Sequence, residues 1–143
     1  MRASLLMRRN FLALVAWLAL LQPALAQDAR ETTVQAAARE WLAHIDRGDY
    51  AASWKAAGAK FQAEITEQRW SEAASNVRGP LGPVAQRSVL KTNFTRAFPG
   101  VPDGDYALVI FRTAFEKKTE GEETVTLERE RDGRWRVIGY FIR

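Results

Sequence analysis

Apolar positions along the 143 residues follow three regimes: an unbroken run near the N-terminus, a helical rhythm as far as Gly79, and alternation from Gln86 to the end. Val34, Ala37, Ala38, Trp41, Leu42 and Ile45 fall at i, +3, +4, +7, +8 and +11, the spacing of one helix face. Thr32 or Thr33 is placed to cap its start and Gly48 to end it. Arg39, Ala43, Asp46 and Arg47 fall opposite the stripe, and His44 lies on its flank, one turn after Glu40. Asp49 can cap a second helix carrying Tyr50, Trp54, Ala57 and Phe61, although residues 60–66 alternate well enough to compete as a strand. Thr66 caps a third helix with Trp70, Ala73, Ala74 and Val77 on one side. Gly79-Pro80 stops it, with the glycine in the left-handed C-terminal position.

From Gln86 the period is two. It predicts strands over 86–95, 106–115, 122–131 and 134–142, with a turn-rich loop over 98–105. Asp132-Gly133 favours a two-residue type I′ turn. That turn pairs Leu127 with Ile138 and Val125 with Tyr140, while a loop near residue 119 pairs Phe115 with Glu123 and Thr113 with Val125. One face then holds Val109, Phe111, Phe115, Val125, Leu127, Ile138, Tyr140 and Ile142, the expected core. The other carries Leu108, Ile110, Trp135, Val137 and Phe141, too apolar to be fully wet. Leu108, Ile110, Val137 and Phe141 therefore predict a homodimer through this second face. The expected fold class is α+β, with N-terminal helices packed on one face of a four-stranded antiparallel meander sheet.

Met1 to Asn10 carries Arg2, Arg8 and Arg9 and no acid; Phe11 to Leu21 is wholly apolar; Ala24-Leu25-Ala26 supplies small residues before Gln27. This is the three-part pattern of a cleaved export signal over residues 1–26. It leaves a single globular α+β domain over 27–143, periplasmic or secreted. The run is short of the roughly twenty apolar residues that span a bilayer, so no stable membrane anchor is expected after cleavage. Arg8-Arg9-Asn10-Phe11-Leu12 also resembles a twin-arginine signal, with Met7 and Ala13 departing from its pattern. An ordinary Sec signal is the simpler reading.

The formal charge of +4 changes meaning with that signal removed. Three arginines leave and no acid does, so basic and acidic residues nearly balance, and nucleic acid is not an expected partner. No cysteine is present, so disulfides and thiolate sites are excluded, and one histidine excludes an imidazole-built metal site. No nucleophile elbow, zinc-protease helix, phosphate loop or dinucleotide fingerprint occurs. No catalytic residue, metal ligand or cofactor is assigned.

The candidate chemistry is polarity on the expected core face. Thr113 and Glu123 are polar there, and Tyr140 adds a hydroxyl. An inward carboxylate is costly unless paired or wet. Two readings follow: a buried ion pair with Arg87 or Arg78, or the polar end of a ligand pocket with Glu123 as acceptor or base and Tyr140 as donor. Trp54, on the core side of the second helix, is the expected apolar wall.

The stretches Trp41-Leu42, Ile45-Asp46, Gly48-Asp49-Tyr50-Ala51-Ala52-Ser53-Trp54, Pro80-Leu81-Gly82, Pro102-Asp103-Gly104, Glu123-Thr124-Val125, Trp135-Arg136-Val137 and Gly139-Tyr140 resemble an exported bacterial family, domain of unknown function 4019. The likeness covers nearly the whole chain after the signal and takes in Thr113, Glu123 and Tyr140. It implies export and no particular reaction. The helix–Gly-Asp-Tyr–helix opening is also similar to cone-shaped nuclear-transport-factor-two-like domains, departing in having no strand between the second and third helices.

The sequence therefore predicts a periplasmic module that binds a small molecule or an envelope protein and is not an enzyme. The alternatives are a small cone-type hydrolase, isomerase or dehydratase using an inward carboxylate and a tyrosine, and a structural envelope protein.

Overall fold

The computed structural model describes residues 3–143, with side chains from Ala24 onward. It divides into two compact units, one ending at Thr33 and one spanning Val34–Arg143. Helix α1 runs Ala3–Asp46. The side chains of the expected signal, up to Pro23, lie outside the described residues. Among the described residues no helix is long and apolar enough to cross a membrane.

Thr32 and Thr33 do not cap a helix start. They lie inside α1, and their hydroxyls donate to the carbonyls of Asp28 and Ala29, 2.9 and 2.8 Å away. A threonine can bond one turn back as readily as it can cap, so its presence does not by itself start a helix. The helix end is as the glycine dictates. Gly48 takes φ +71°, its N–H donates to Ile45 O, and Asp49 N–H donates to His44 O, which closes the last turn as a Schellman motif.

The expected second helix is two: α2 (Tyr50–Ala56) and α3 (Ala59–Glu64). Asp49 Oδ1 caps α2 through Ala52 N–H. The break falls at Gly58, whose N–H donates to Val137 O at 2.7 Å. A Cβ there would sit 3.1 Å from Ile138 Cγ2, so the chain approaches the sheet where only glycine fits easily. Helix α4 (Glu67–Arg78) is capped by Thr66 as its sequence implies. Gly79 is right-handed, φ −52°, and the chain continues through a 3₁₀ turn over Gly79–Leu81 before Gly82 takes φ +73°. The left-handed residue is thus three positions later than expected.

Strands β1 (Val84–Thr95), β2 (Tyr106–Phe115), β3 (Lys118–Arg129) and β4 (Trp135–Ile142) form an antiparallel meander in the order β1-β2-β3-β4. The fold is α+β, with Val34, Ala38, Trp41, Leu42 and Ile45 of α1 and Phe61, Trp70 and Ala74 buried in one cluster with the sheet residues Ala107, Val109, Phe111, Val125, Leu127 and Val137.

The register corrects two expectations. Phe115 pairs with Lys118 across a two-residue connection, and beyond a one-residue shift between Thr113 and Phe115 the ladder sets Thr113 opposite Gly121 and Phe111 opposite Glu123. The slip from the expected pairing is even, and each side chain keeps its face. At the β3–β4 turn Gly133 alone has positive φ, and Glu130 and Arg134 close a three-residue loop by Glu130 N–H to Arg134 O. A type I′ turn needs two positive φ values and Asp132 has none. A shift between Thr126 and Leu127 pairs Leu127 with Val137 and leaves Ile138 as the extra residue. Val137 is therefore in the core, 1 % exposed, and leaves the face expected to dimerise; Ile138 is half-buried. Below the bulge Val125 still faces Tyr140.

Candidate functional site

Arg87 of β1 stands directly opposite Thr113 of β2, and Thr113 opposite Gly121 of β3. Glu123, two residues on, lies diagonal to Thr113 on one side and to Tyr140 of β4 on the other. All four project to the helix-packed face, where diagonal neighbours are within reach of long side chains. Gly121 makes the close approach possible: a Cβ there would lie 2.8 Å from Thr113 O and 2.9 Å from the Phe115 ring.

The Glu123 carboxylate is wholly buried and accepts from three donors. Arg87 Nε is 2.7 Å and Thr113 Oγ1 2.6 Å from Oε1, and the Tyr140 hydroxyl donates to Oε2. Arg87 also grips Asp46 with both terminal nitrogens, Nη1 to Oδ2 at 2.7 Å and Nη2 to Oδ1 at 2.9 Å. Arg78, 5 % exposed, reaches the same Asp46 Oδ1 at 3.1 Å and lies over the Phe115 ring at 4.8 Å. Two guanidiniums thus face two carboxylates. This is the condition under which charges are tolerated away from water.

Burial opposes ionisation of Asp46, but the hydrogen bonds and charges of Arg87 and Arg78 outweigh it and hold the carboxyl below its ordinary value. Burial likewise opposes the charge on Arg87, and Asp46 and Glu123 together raise its pKa. Burial and the neighbouring Glu123 charge push the Tyr140 phenol up, so it stays a donor. Arg78 Nε alone, among buried side-chain nitrogens and oxygens of the described residues, has no partner.

The structure thus gathers Arg78, Arg87, Thr113, Glu123 and Tyr140 into one network. Trp54 is placed otherwise: its Nε1 donates to Ile65 O at 2.8 Å, and the indole against Tyr140 is that of Trp41, at 5.3 Å. Sequence reasoning missed Asp46, which it placed on the outer side of α1; its place in the Ile45-Asp46 pair was the available signal. It also missed Ser53, fully buried, which fixes two indoles: Trp41 Nε1 donates to its carbonyl and Trp70 Nε1 to its hydroxyl, both at 2.8 Å.

Beside the network a groove of about 280 Å³ runs between α4 and β4, mostly apolar. Trp70, Ala74 and Val77 form one wall, Tyr140, Phe141 and Ile142 the other, and Arg78 joins them. Val77 and Phe141 are about half exposed at its rim. A second, polar concavity of about 240 Å³ between α1, α2 and the start of β4 includes Glu40, His44, Lys55 and Arg136. Among the described residues no three His, Cys, Asp or Glu side chains gather as a metal site.

Helices on one face of a four-stranded meander, braced by a closed charge network, define a small α+β domain. A family model described as Protein of unknown function (DUF4019) matches residues 37–140, and the chain belongs to that family. A 2.5 Å structure from Catenulispora acidiphila has a similar fold, with a TM-score of 0.50 and 14% sequence identity over 82% of this chain and 93% of that one. No curated protein matches the sequence.

Proposed function

We propose that this is an exported, periplasmic binding module whose working surface is the groove between α4 and β4, and that it is not an enzyme. One observation carries the reading: the inward carboxylate is fully occupied while the apolar groove beside it is open. Glu123 has no exposure and three donors, leaving it no role as a free base. The groove has an aromatic side chain in each wall, Trp70 and Tyr140, and two half-exposed apolar side chains at its mouth, the features of a site that removes apolar surface from water. Arg78, Arg87, Thr113, Glu123 and Tyr140 hold the walls of that groove in place; they are its brace.

The test is a fluorescence titration of the purified protein with an uncharged apolar dye. Val77→Trp, at a half-exposed position on the rim, fills the groove and should abolish dye binding while the protein stays folded by circular dichroism. Undiminished binding in that variant would place the ligand elsewhere and end this reading.

A further inference from the structure

We infer that the C-terminal half of β4 is a strand-addition site: an extended polypeptide segment with apolar side chains at alternate positions pairs with the open edge at Tyr140 and Ile142 and fills the α4–β4 groove. The inference rests on the groove being the binding surface and names its occupant.

The backbone carries the argument. Glu122 and Arg143 exchange both N–H···O bonds, Glu122 N–H to Arg143 O at 3.0 Å and Arg143 N–H to Glu122 O at 2.9 Å. In an antiparallel ladder such pairs alternate with pairs that make no bond to each other. The register pairs Glu123 with Ile142, Thr124 with Phe141 and Val125 with Tyr140. Phe141 therefore turns its N–H and C=O towards β3, and Tyr140 and Ile142 turn theirs away from the sheet. β4 is an edge strand. Beyond the bulge, Tyr140 and Ile142 are also the β4 residues whose side chains belong to the helix-packed face, and both line the groove.

The same edge is already used once by the chain itself. Val137 O, pointing outward on the far side of the bulge, accepts from Gly58 N–H at 2.7 Å. That contact closes the first half of the edge and leaves the second half, four backbone groups long, beside an apolar trough. Extended backbone is the chemistry that matches both features at once, supplying alternating donors and acceptors to the edge and side chains to the groove. Charge points the same way. Asp46, Glu123, Arg78 and Arg87 already balance, so the base of the groove favours an uncharged occupant over a carboxylate or an amine.

The test uses an acetylated, amidated hexapeptide, Lys-Val-Thr-Val-Thr-Lys, and two isomers with N-methyl groups on either the valine or the threonine amides. Methylation blocks one edge of the strand and leaves every side chain in place. By calorimetry on the full chain, the parent peptide should bind, one isomer should match it and the other should bind at least tenfold more weakly. Hydrogen exchange at the Tyr140 and Ile142 amides should slow on binding, and exchange at Phe141 should not change. Ile142→Pro, which removes an outward donor, should lose the peptide while keeping its melting temperature; if that variant unfolds, the two isomers still decide. Equal affinities of the isomers overturn strand addition, and a dimer that dissociates as peptide is added overturns a separate polypeptide as the occupant, since the edge would then belong to a second copy. If the apolar dye enters the groove but the peptide does not bind, only this inference falls. If neither binds, the binding reading falls with it.

Discussion

Asp46 lies in the last turn of α1 and receives both terminal nitrogens of Arg87 from the edge strand β1, at 2.7 and 2.9 Å. A carboxylate in that position is disfavoured by the partial negative charge of the helix C-terminus. The two-pronged guanidinium and the nearby Arg78 reverse the balance. The pair fastens the end of the helix to β1, so its removal should loosen the helix–sheet contact as a whole. Asp46→Asn should cost about 3 kcal/mol in urea unfolding, because two largely buried guanidiniums lose their shared partner. A loss below about 0.5 kcal/mol would mean the pair is a surface contact of no consequence.

Acid should expose the same dependence. The folded Asp46 carboxyl titrates below its ordinary value of 3.8. A group depressed in the folded state adds stability that is complete above its unfolded pKa and disappears as the pH falls through the folded one. The stability gap between the native protein and Asp46→Asn should therefore be full at pH 7 and shrink between about pH 5 and pH 2. A gap that stays constant over this range would show that Asp46 contributes by shape and not by charge.

Glu123 offers a sharper contrast between brace and reactive site. With Arg87, Thr113 and Tyr140 all directed at it, Glu123→Gln should destabilise by roughly 3–5 kcal/mol. Tyr140→Phe removes one donor to a charged acceptor and should cost about 2 kcal/mol. Combined, the two changes should cost less than the sum of the single ones, because they break one network. Additive losses would indicate independent contacts.

Face membership was legible in the sequence because it depends only on parity. The β2–β3 pairing slipped by an even number of residues, so Thr113, Glu123 and Val125 kept their side of the sheet. What could not be read was where parity breaks. The extra residue at Ile138 put Val137 into the core, and the neighbouring Gly139 was the available sign of a bulge. The helix break at Gly58 is a tertiary effect: the glycine ends α2 because the sheet comes close there. Asp46 escaped notice for a similar reason. A helical wheel separates the two sides of an isolated helix, and β1 supplies a second buried surface at its end.

Export makes a separate prediction. From the apolar run over 11–21 and Ala24-Leu25-Ala26 the expected cut is before Gln27. Intact-mass measurement of periplasmic protein should show a chain beginning at Gln27, and replacing Arg8 and Arg9 by Lys should leave export intact if the Sec route is used. Material that retains residues 1–26 would contradict the periplasmic module.

Gly121 gives the most local test of how the network is assembled. It is buried on β3 opposite Thr113, with the Phe115 ring across it. A Cβ at this position would lie 2.8 Å from the Thr113 carbonyl oxygen and 2.9 Å from Phe115 Cε2, both inside ordinary contact distance. The ring can turn, but the carbonyl belongs to the β2–β3 pairing, so the strands must separate or shift. Gly121→Ala should therefore destabilise by about 1–3 kcal/mol through overpacking, although alanine ordinarily favours a folded chain over glycine by about 0.4–1 kcal/mol. The disturbance should be felt one residue pair away, at the bond from Thr113 to Glu123, and should raise amide exchange along β2 from Phe111 to Phe115. Gly139→Ala is the matched control: its nearest neighbours are Thr126 Cβ at 3.5 Å and Oγ1 at 3.7 Å, ordinary contact distances. Measured side by side, Gly121→Ala should lose stability and Gly139→Ala should stay within about 0.5 kcal/mol of the native protein. Equal costs would mean that Gly121 is dispensable and that the close β2–β3 approach does not position Glu123.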